Sequence, residues 1–537
     1  MAYVPGGVQP IILVKEDLAR TRGKDAMRSN ILAVVALADI IKTALGPAGR
    51  DKMLVDRYGN VIVTNDGATI LKEMDIAHPA AKYVVELAKS QEAEVGDGTT
   101  TVVVIAGELL RQAEKLLDTN LHPSIIVEGY RMAMEKAIEE LEKLAEEVNP
   151  EDEELLKKIV NTTLSSKLAP SDREHITNIV VQAAKLVMHK VNGERRLDKE
   201  DIKIEKKEGG SIRDTMLVRG IVLDKEVVHP DMPRRVENAK IALINAPLEM
   251  RKPEISGKIR FTDPRQIEEF KKAEREIVKR KIEAIIKAGA NVVFCQKGID
   301  EYAQHLLAKH GILAVRRVKK SDMEALAKAT GAKIITKPEE ITPEDLGEAE
   351  LVEERKVGDD KMVFVEGCKH PRAVTILIRG GSKQVVDEVE RAIDDAISVI
   401  RDVIKHKYVV YGGGAIEAEL AKRIREYAKS ISGKEQVAIE MYADALEVIP
   451  SVLADNVGIN PIDAITELRS RHAKGETRAG VSIEGKIDDM KKLGVVEPMI
   501  VKRNAIRAAS EAAMMILRID DILASKPKEE GESKMPK

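Results

Sequence analysis

The chain has 537 residues, and its charges nearly cancel: 87 Lys and Arg against 90 Asp and Glu leave a formal −3. At roughly 100–200 residues per domain this length predicts about three to five domains. A 44% hydrophobic share beside 33% charged residues describes a folded protein with a heavily charged surface, not a disordered one. The near-neutral balance, the 2% aromatic content and the absence of Trp argue against duplex binding and against a stacking platform for single strands, so no nucleic-acid partner is expected. No apolar run approaches the roughly 18 residues that span a bilayer, and residues 1–10 lack the pattern of a signal peptide, so no membrane association is expected. Cys295 and Cys368 lie far apart and predict neither a disulfide framework nor a metal pair; a reducing cytoplasm is the expected compartment.

In chain order, apolar residues at helical spacing predict a helix over Asp25–Ala44, stopped by Gly46-Pro47. Lys52–Val55 and Val61–Thr64 read as a hairpin around Tyr58-Gly59-Asn60. Helices follow over Pro79–Glu94, Thr99–Leu117 and Pro123–Val148, then over Glu151–Val191 with a polar interruption at Ser165-Ser166-Lys167. From Ile202 the period changes. Strands are predicted at Ile202–Glu205, Met216–Leu223 and Ala239–Asn245, followed by a long charged helix over Asp263–Ala288. Shorter strands and helices then alternate to Ile335, which implies a parallel α/β unit. Two further strands near Met362–Val365 and Thr375–Arg379 precede a region that is mostly helical to Leu523. Two helical ends around an α/β middle suggest a domain inserted into another. Ser525–Lys537 is polar and aperiodic and reads as a disordered tail.

Three glycine-rich loops fall in the first third: Leu45-Gly46-Pro47-Ala48-Gly49, Thr64-Asn65-Asp66-Gly67-Ala68-Thr69 and Gly96-Asp97-Gly98-Thr99-Thr100-Thr101. Glycines let a backbone approach a ligand, and hydroxyls and amides at a helix start bind anions. A carboxylate beside phosphate needs a cation between them, so Asp97 suggests a metal ligand. Taken singly, each loop is better explained as helix capping, turn chemistry or a helix stop than as a ligand site. A fourth cluster, Gly412-Gly413-Gly414, lies between an apolar run and a helix; its bland reading is a flexible connector. Neither a P-loop nor a spaced dinucleotide fingerprint is present.

Together these segments resemble the group II chaperonins, the family of the archaeal thermosome. The matching stretches are LGPAGRDKMLVD (45–56), VTNDGATILKEMDIAHPAAK (63–82), EVGDGTTTVVVIAGELL (94–110), RGGSKQVVDEVERAIDDAI (379–397), GGGAIEAELA (412–421) and GVVEPMIVKRNAIRAASEAAMMILRIDDIL (494–523), in the family's order. The resemblance implies a multidomain fold: a mostly helical equatorial ATPase domain (1–148 and 405–524), an α/β intermediate domain (149–217 and 370–404), and an α/β apical domain (218–369) with a helical lid protrusion at about 248–280. Residues 525–537 are left as the tail. It implies ATP and Mg2+ as ligands. Leu45, Gly46 and Pro47 match the nucleotide-contacting loop, Asp97 the magnesium ligand, and Gly98, Thr99, Thr100 and Thr101 the phosphate cradle. Asp66 matches an acidic residue near the γ-phosphate and Asp395 the carboxylate that orients water. Gly413 and Gly414 match nucleoside-contacting glycines, Glu497 the acidic residue at the ribose, and Lys167 a nucleotide-sensing lysine.

The implied function is an ATP-hydrolysing chaperone. Its subunits would stack as two rings of eight or nine, encapsulate unfolded clients and close a built-in lid. Departures from the family pattern are Ala48 in place of Lys, Ala44 in place of a frequent Thr, a bulky Tyr411, and no glycine-methionine-rich tail. Ala48 and Ala44 motivate one rival, a ring-forming scaffold or holdase with vestigial ATPase activity; a second rival is a small-molecule kinase using the same glycine loops.

Overall fold

The computed structural model describes residues 18–55, 58–250, 264–368 and 372–525, and the chain divides into two compact units. One is drawn from both chain ends, up to Glu146 and from Val410 onward; the other runs Glu147–Val409. The expectations for residues 1–10, for the tail beyond Ser525 and for the 251–263 part of the protrusion lie outside the described residues.

In the first unit the organising element is the helix Thr99–Asp118. Its Val102–Ala106 run is buried on every side, which suits a helix surrounded by others rather than one lying on a surface. Gly23–Ile41, Pro79–Val95, Glu435–Leu446 and Met499–Leu517 pack around it. Gly107 lets the first of these approach closely, because a Cβ there would run into Ala38. Tyr130 and Tyr442 meet edge to face at 5.6 Å, and each satisfies its buried hydroxyl, Tyr130 by donating to the Leu109 carbonyl and Tyr442 by bonding Ser510 at 2.7 Å. The two ends of the chain pair as antiparallel strands, Leu18–Arg22 with Asp521–Ser525.

The second unit holds two sheets. The larger orders Leu313–Val315, Val292–Cys295, Arg235–Ile244, Gly347–Val357, Asp360–Glu366 and Gly220–Leu223, with Ile334–Ile335 also pairing to Arg235–Ile244. The smaller is Ile202–Glu208, Val374–Gly380 and Met216–Val218, against which Lys383–His406 and Pro170–Val187 pack.

Several expectations need correction. The alternating stretch up to Ile335 is parallel as expected, Arg235–Ile244 pairing in parallel with Val292–Cys295 and Ile334–Ile335, but its sheet continues antiparallel through Gly347–Val357. That eleven-residue strand was not anticipated because its sequence, GEAELVEERKV, is rich in residues depleted from strands; it is only partly buried and is held by pairing on both sides. Met216–Leu223 is two strands rather than one, and the chain passes from the smaller sheet to the larger at Arg219. The helix expected to reach Val148 ends at Leu144, and Val148 instead donates its N–H to the Lys407 carbonyl. The last long helix stops at Leu517, since Asp521–Ser525 is drawn into the strand pair.

Charge is also used inside the first unit. Glu447 is buried and accepts from both Arg425 Nη atoms (2.8 and 2.6 Å) and from Arg469 Nε (2.9 Å). Burial alone would raise its carboxyl, but Arg469 and Arg425 outweigh it and hold the pKa below the ordinary value. The stability so gained is present above the usual carboxylate range and is lost as pH falls through the depressed folded-state pKa. Glu447→Gln is therefore expected to destabilise the protein by about 3 kcal/mol at pH 7, near the low end for a broken buried pair because Arg469 is half exposed. Denaturation midpoints measured at pH 7 and at pH 3 check this: the gap between variant and parent should shrink in acid.

Candidate functional site

The three N-terminal loops and the triple glycine all belong to the first unit. After Gly23–Ile41 a single 3-10 turn, Lys42–Ala44, delivers Leu45 and Gly46. Asn456 Nδ2 donates to the Leu45 carbonyl at 2.8 Å, and Gly46, at φ +81°, lies so close to Leu453 that a Cβ would collide with it. Both anchors sit on Val448–Asn456. The same helix bears Pro450, whose Cβ would be 2.6 Å from a Cβ added at Gly414.

Asp66 caps the helix Gly67–Glu73: its Oδ2 accepts from the Thr69 N–H at 2.9 Å and from the Thr69 hydroxyl at 2.8 Å. The capping explanation is thus realised for Asp66. Gly67 abuts Thr100, where a Cβ would strike the threonine side chain, so the second and third loops are in contact.

The third loop joins two helices through Gly96 and Gly98, both left-handed at φ +68° and +84°. No side chain caps Thr99–Asp118, because its N-cap is Gly98. A twenty-residue helix therefore presents an uncapped N-terminus beside Asp97, whose Oδ1 accepts from the Gly98 N–H at 2.6 Å. Gln91 Nε2 ties the loop down, donating to the Asp97 carbonyl at 3.0 Å and to the Val501 carbonyl at 3.3 Å. The Thr99 hydroxyl donates to Glu92 at 2.7 Å, which leaves its backbone amide, not its side chain, facing the helix start.

Gly413 and Gly414, at φ +65° and +75°, open the helix Ala415–Ala428. A Cβ at Gly413 would lie 2.5 Å from Met490 Sδ and 2.9 Å from the Val481 carbonyl oxygen. Glu497 stands in the strand Val496–Pro498, just before Met499–Leu517, and its carboxylate lies against Gly412. The neighbouring Tyr411 donates its hydroxyl to Glu146 at 2.7 Å and lies under the Arg478 guanidinium, so its bulk is used as a tie.

Behind Glu497 is the buried Lys502, with Nζ 2.9 Å from Glu497 Oε2 and 2.9 Å from Glu417 Oε1. Burial opposes the Lys502 charge, but Glu417 and Glu497 outweigh it and raise its pKa well above the ordinary value.

Lys167 and Asp395 belong to the second unit, where their side chains form a buried ion pair. Asp395 is one of the buried positions of Lys383–His406, whereas neighbouring Asp394 is more exposed and meets Lys199 at 3.3 Å. The residues not anticipated from sequence are Gln91, Glu92, Glu417, Asn456 and Lys502. Glu92 acts on Thr99 in the next loop, and the others each bond a partner remote in the chain.

The donor set fits a metal–phosphate ligand. Carboxylates, hydroxyls and amides are the hard oxygen and N–H groups that Mg2+ and phosphate prefer. The glycine positions, which a Cβ would fill, leave backbone exposed for close approach.

Comparison with known proteins agrees with this chemistry. The model of the TCP-1/cpn60 chaperonin family matches residues 37–527. A thermosome subunit of Pyrococcus horikoshii is 56% identical over 536 residues, covering 99% of this chain and 97% of the relative. Thermosome subunit alpha of Archaeoglobus fulgidus is 56% identical over 530 residues (98% and 97%), and thermosome subunit beta of Thermococcus kodakarensis is 55% identical over 537 (99% and 98%). With a family model spanning most of its length and full-length relatives above half identity, the chain belongs to the TCP-1/cpn60 chaperonin family and is a group II chaperonin.

Proposed function

We propose that this chaperonin is an ATP-dependent folding machine whose subunits assemble as two stacked rings and encapsulate non-native proteins in the cytoplasm. The observation that carries the reading is the uncapped N-terminus of Thr99–Asp118, set beside Asp97 and in contact with the Asp66 loop. The full-length similarity to thermosome subunits supports ring assembly. Among the described residues no helix is long and apolar enough to cross a membrane.

In this reading the amides of Thr99, Thr100 and Thr101 hold phosphate oxygens, where the positive end of the helix dipole favours them. Leu45, Gly46 and Pro47 line the nucleotide, Gly413 and Gly414 admit the nucleoside, and Glu497 accepts from a ribose hydroxyl. Asp97 would hold Mg2+, which supplies the positive charge that offsets the phosphates during transfer. Asp66, fixed by its bonds to Thr69, serves near the terminal phosphate. Asp395 aligns the attacking water and Lys167 orients Asp395, which couples hydrolysis to conformational change and lid closure. The three-domain division, with intermediate and apical domains at 149–217 with 370–404 and at 218–369, belongs to the same proposal.

Asp395→Ala is expected to leave ATP binding intact and to cut phosphate release by about 10²-fold or more. Fluorescent-nucleotide titration beside a phosphate-release assay reads both, and parental turnover in the variant would remove Asp395 from the reaction. Gly414→Ala forces a side chain against Pro450 at a left-handed φ. Strain of about 1–3 kcal/mol should weaken ATP binding roughly tenfold or more. Equilibrium titration checks it, with light scattering to confirm that the assembly persists.

A further inference from the structure

The buried triad Glu417–Lys502–Glu497 has a feature that core packing does not explain. Lys502 and Glu417 are 7% and 0% exposed, while the Glu497 side chain keeps 24% of its surface open. One ammonium faces two carboxylates, each at 2.9 Å. Among the described residues neither Glu417 oxygen accepts a well-directed hydrogen bond, so Lys502 is what compensates its charge. A buried excess of one negative charge is costly, and here the cost is reduced because Glu497 keeps part of its surface in water. Its Oε2 is pinned by Lys502 while Oε1 lies against Gly412, at the start of the loop that opens Ala415–Ala428. Glu417 sits in the first turn of that helix, so the loop, the strand and the helix Met499–Leu517 converge on one ammonium.

We propose that Lys502 is a positioning residue for nucleoside selectivity, holding Glu497 by one oxygen so that the carboxylate is presented at the Gly412–Gly414 loop in a single orientation. The proposal rests on the reading of Glu497 as the acceptor for a ribose hydroxyl. Glu417 sits on the far side of the ammonium as a counterweight. It shares the Lys502 charge, and it keeps the lysine from turning into the nucleotide site as a competing phosphate ligand. The consequence is specific: loss of Lys502 should affect recognition of the ribose and leave the phosphate cradle at Thr99–Thr101 alone, because that cradle is held by Gln91 and Glu92.

The test compares binding of ATP, 2′-deoxy-ATP, 3′-deoxy-ATP and inorganic tripolyphosphate to the full-length assembled protein and its variants. Lys502→Met should reduce the preference for ATP over the deoxy analogue that the parent discriminates against by about tenfold, as expected for loss of a charge-assisted contact, with tripolyphosphate binding unchanged. Lys502→Arg should restore most of the preference. Leaving Glu417 unpaired can prevent folding of the single variant, so the double variant Lys502→Met with Glu417→Gln removes the stranded charge and should show the same loss. Glu497→Gln tests the underlying reading separately. If it leaves the discrimination intact, Glu497 does not read the ribose and the proposal falls with that reading. If Glu497→Gln abolishes the discrimination while the folded Lys502 variants keep it, the reading stands and the positioning role is overturned. Equal weakening of nucleotides and tripolyphosphate would also overturn it, since that is what general damage produces.

Discussion

The first unit depends on one constraint: segments from opposite ends of the chain must share a single core before any of its glycine loops has a fixed shape. Gln91 reaches the Val501 carbonyl across 410 positions of sequence, and Asn456 reaches the Leu45 carbonyl across 411. The loops contain little that could hold them alone. Gly46, Gly96, Gly98, Gly413 and Gly414 are left-handed, with no side chain to pack, and glycines lose the most conformational freedom on ordering. That entropy is offset by burial of Thr99–Asp118 among helices from both chain ends, which is the largest apolar cluster in the molecule.

Once that core exists, local chemistry follows from what the loops lack. Gly98 has no side chain with which to cap the helix that it begins. Gly67, Gly413 and Gly414 bring backbone within contact of Thr100, Met490 and Pro450, where any other residue would collide. The charged residues are distributed by the same logic. Many ion pairs are exposed helix pairs that contribute little, but Glu447 and Lys502 are themselves buried and tie together the elements that carry the loops.

The glycine loops were legible in the sequence because glycine, aspartate and threonine at a helix start have a local signature. So were the long helices, whose apolar spacing gave Pro79–Val95 and Thr99–Asp118 to within a residue of the expected ends. What escaped was whatever depends on a distant partner. Gly347–Val357 looks polar and becomes a strand through pairing on both edges. The alternation of elements accounts for the parallel strands beside Arg235–Ile244, whereas the antiparallel half of the sheet follows from that pairing. Gln91, Asn456 and Lys502 look like ordinary surface-type residues until the fold places a carbonyl or a carboxylate beside them. Read alone, Asp66 was better explained by local capping and turn chemistry than by a ligand, and the structure gives it the cap.

The central claim is that the loops gathered by this core bind a metal–nucleotide and hydrolyse it. The most direct test is steady-state phosphate release from ATP by the assembled full-length protein, measured with Mg2+ and after chelation of divalent cations. The account predicts turnover with Mg2+ that falls to background on chelation and returns when Mg2+ is restored. Release that is absent with Mg2+, or that persists unchanged without it, would contradict it.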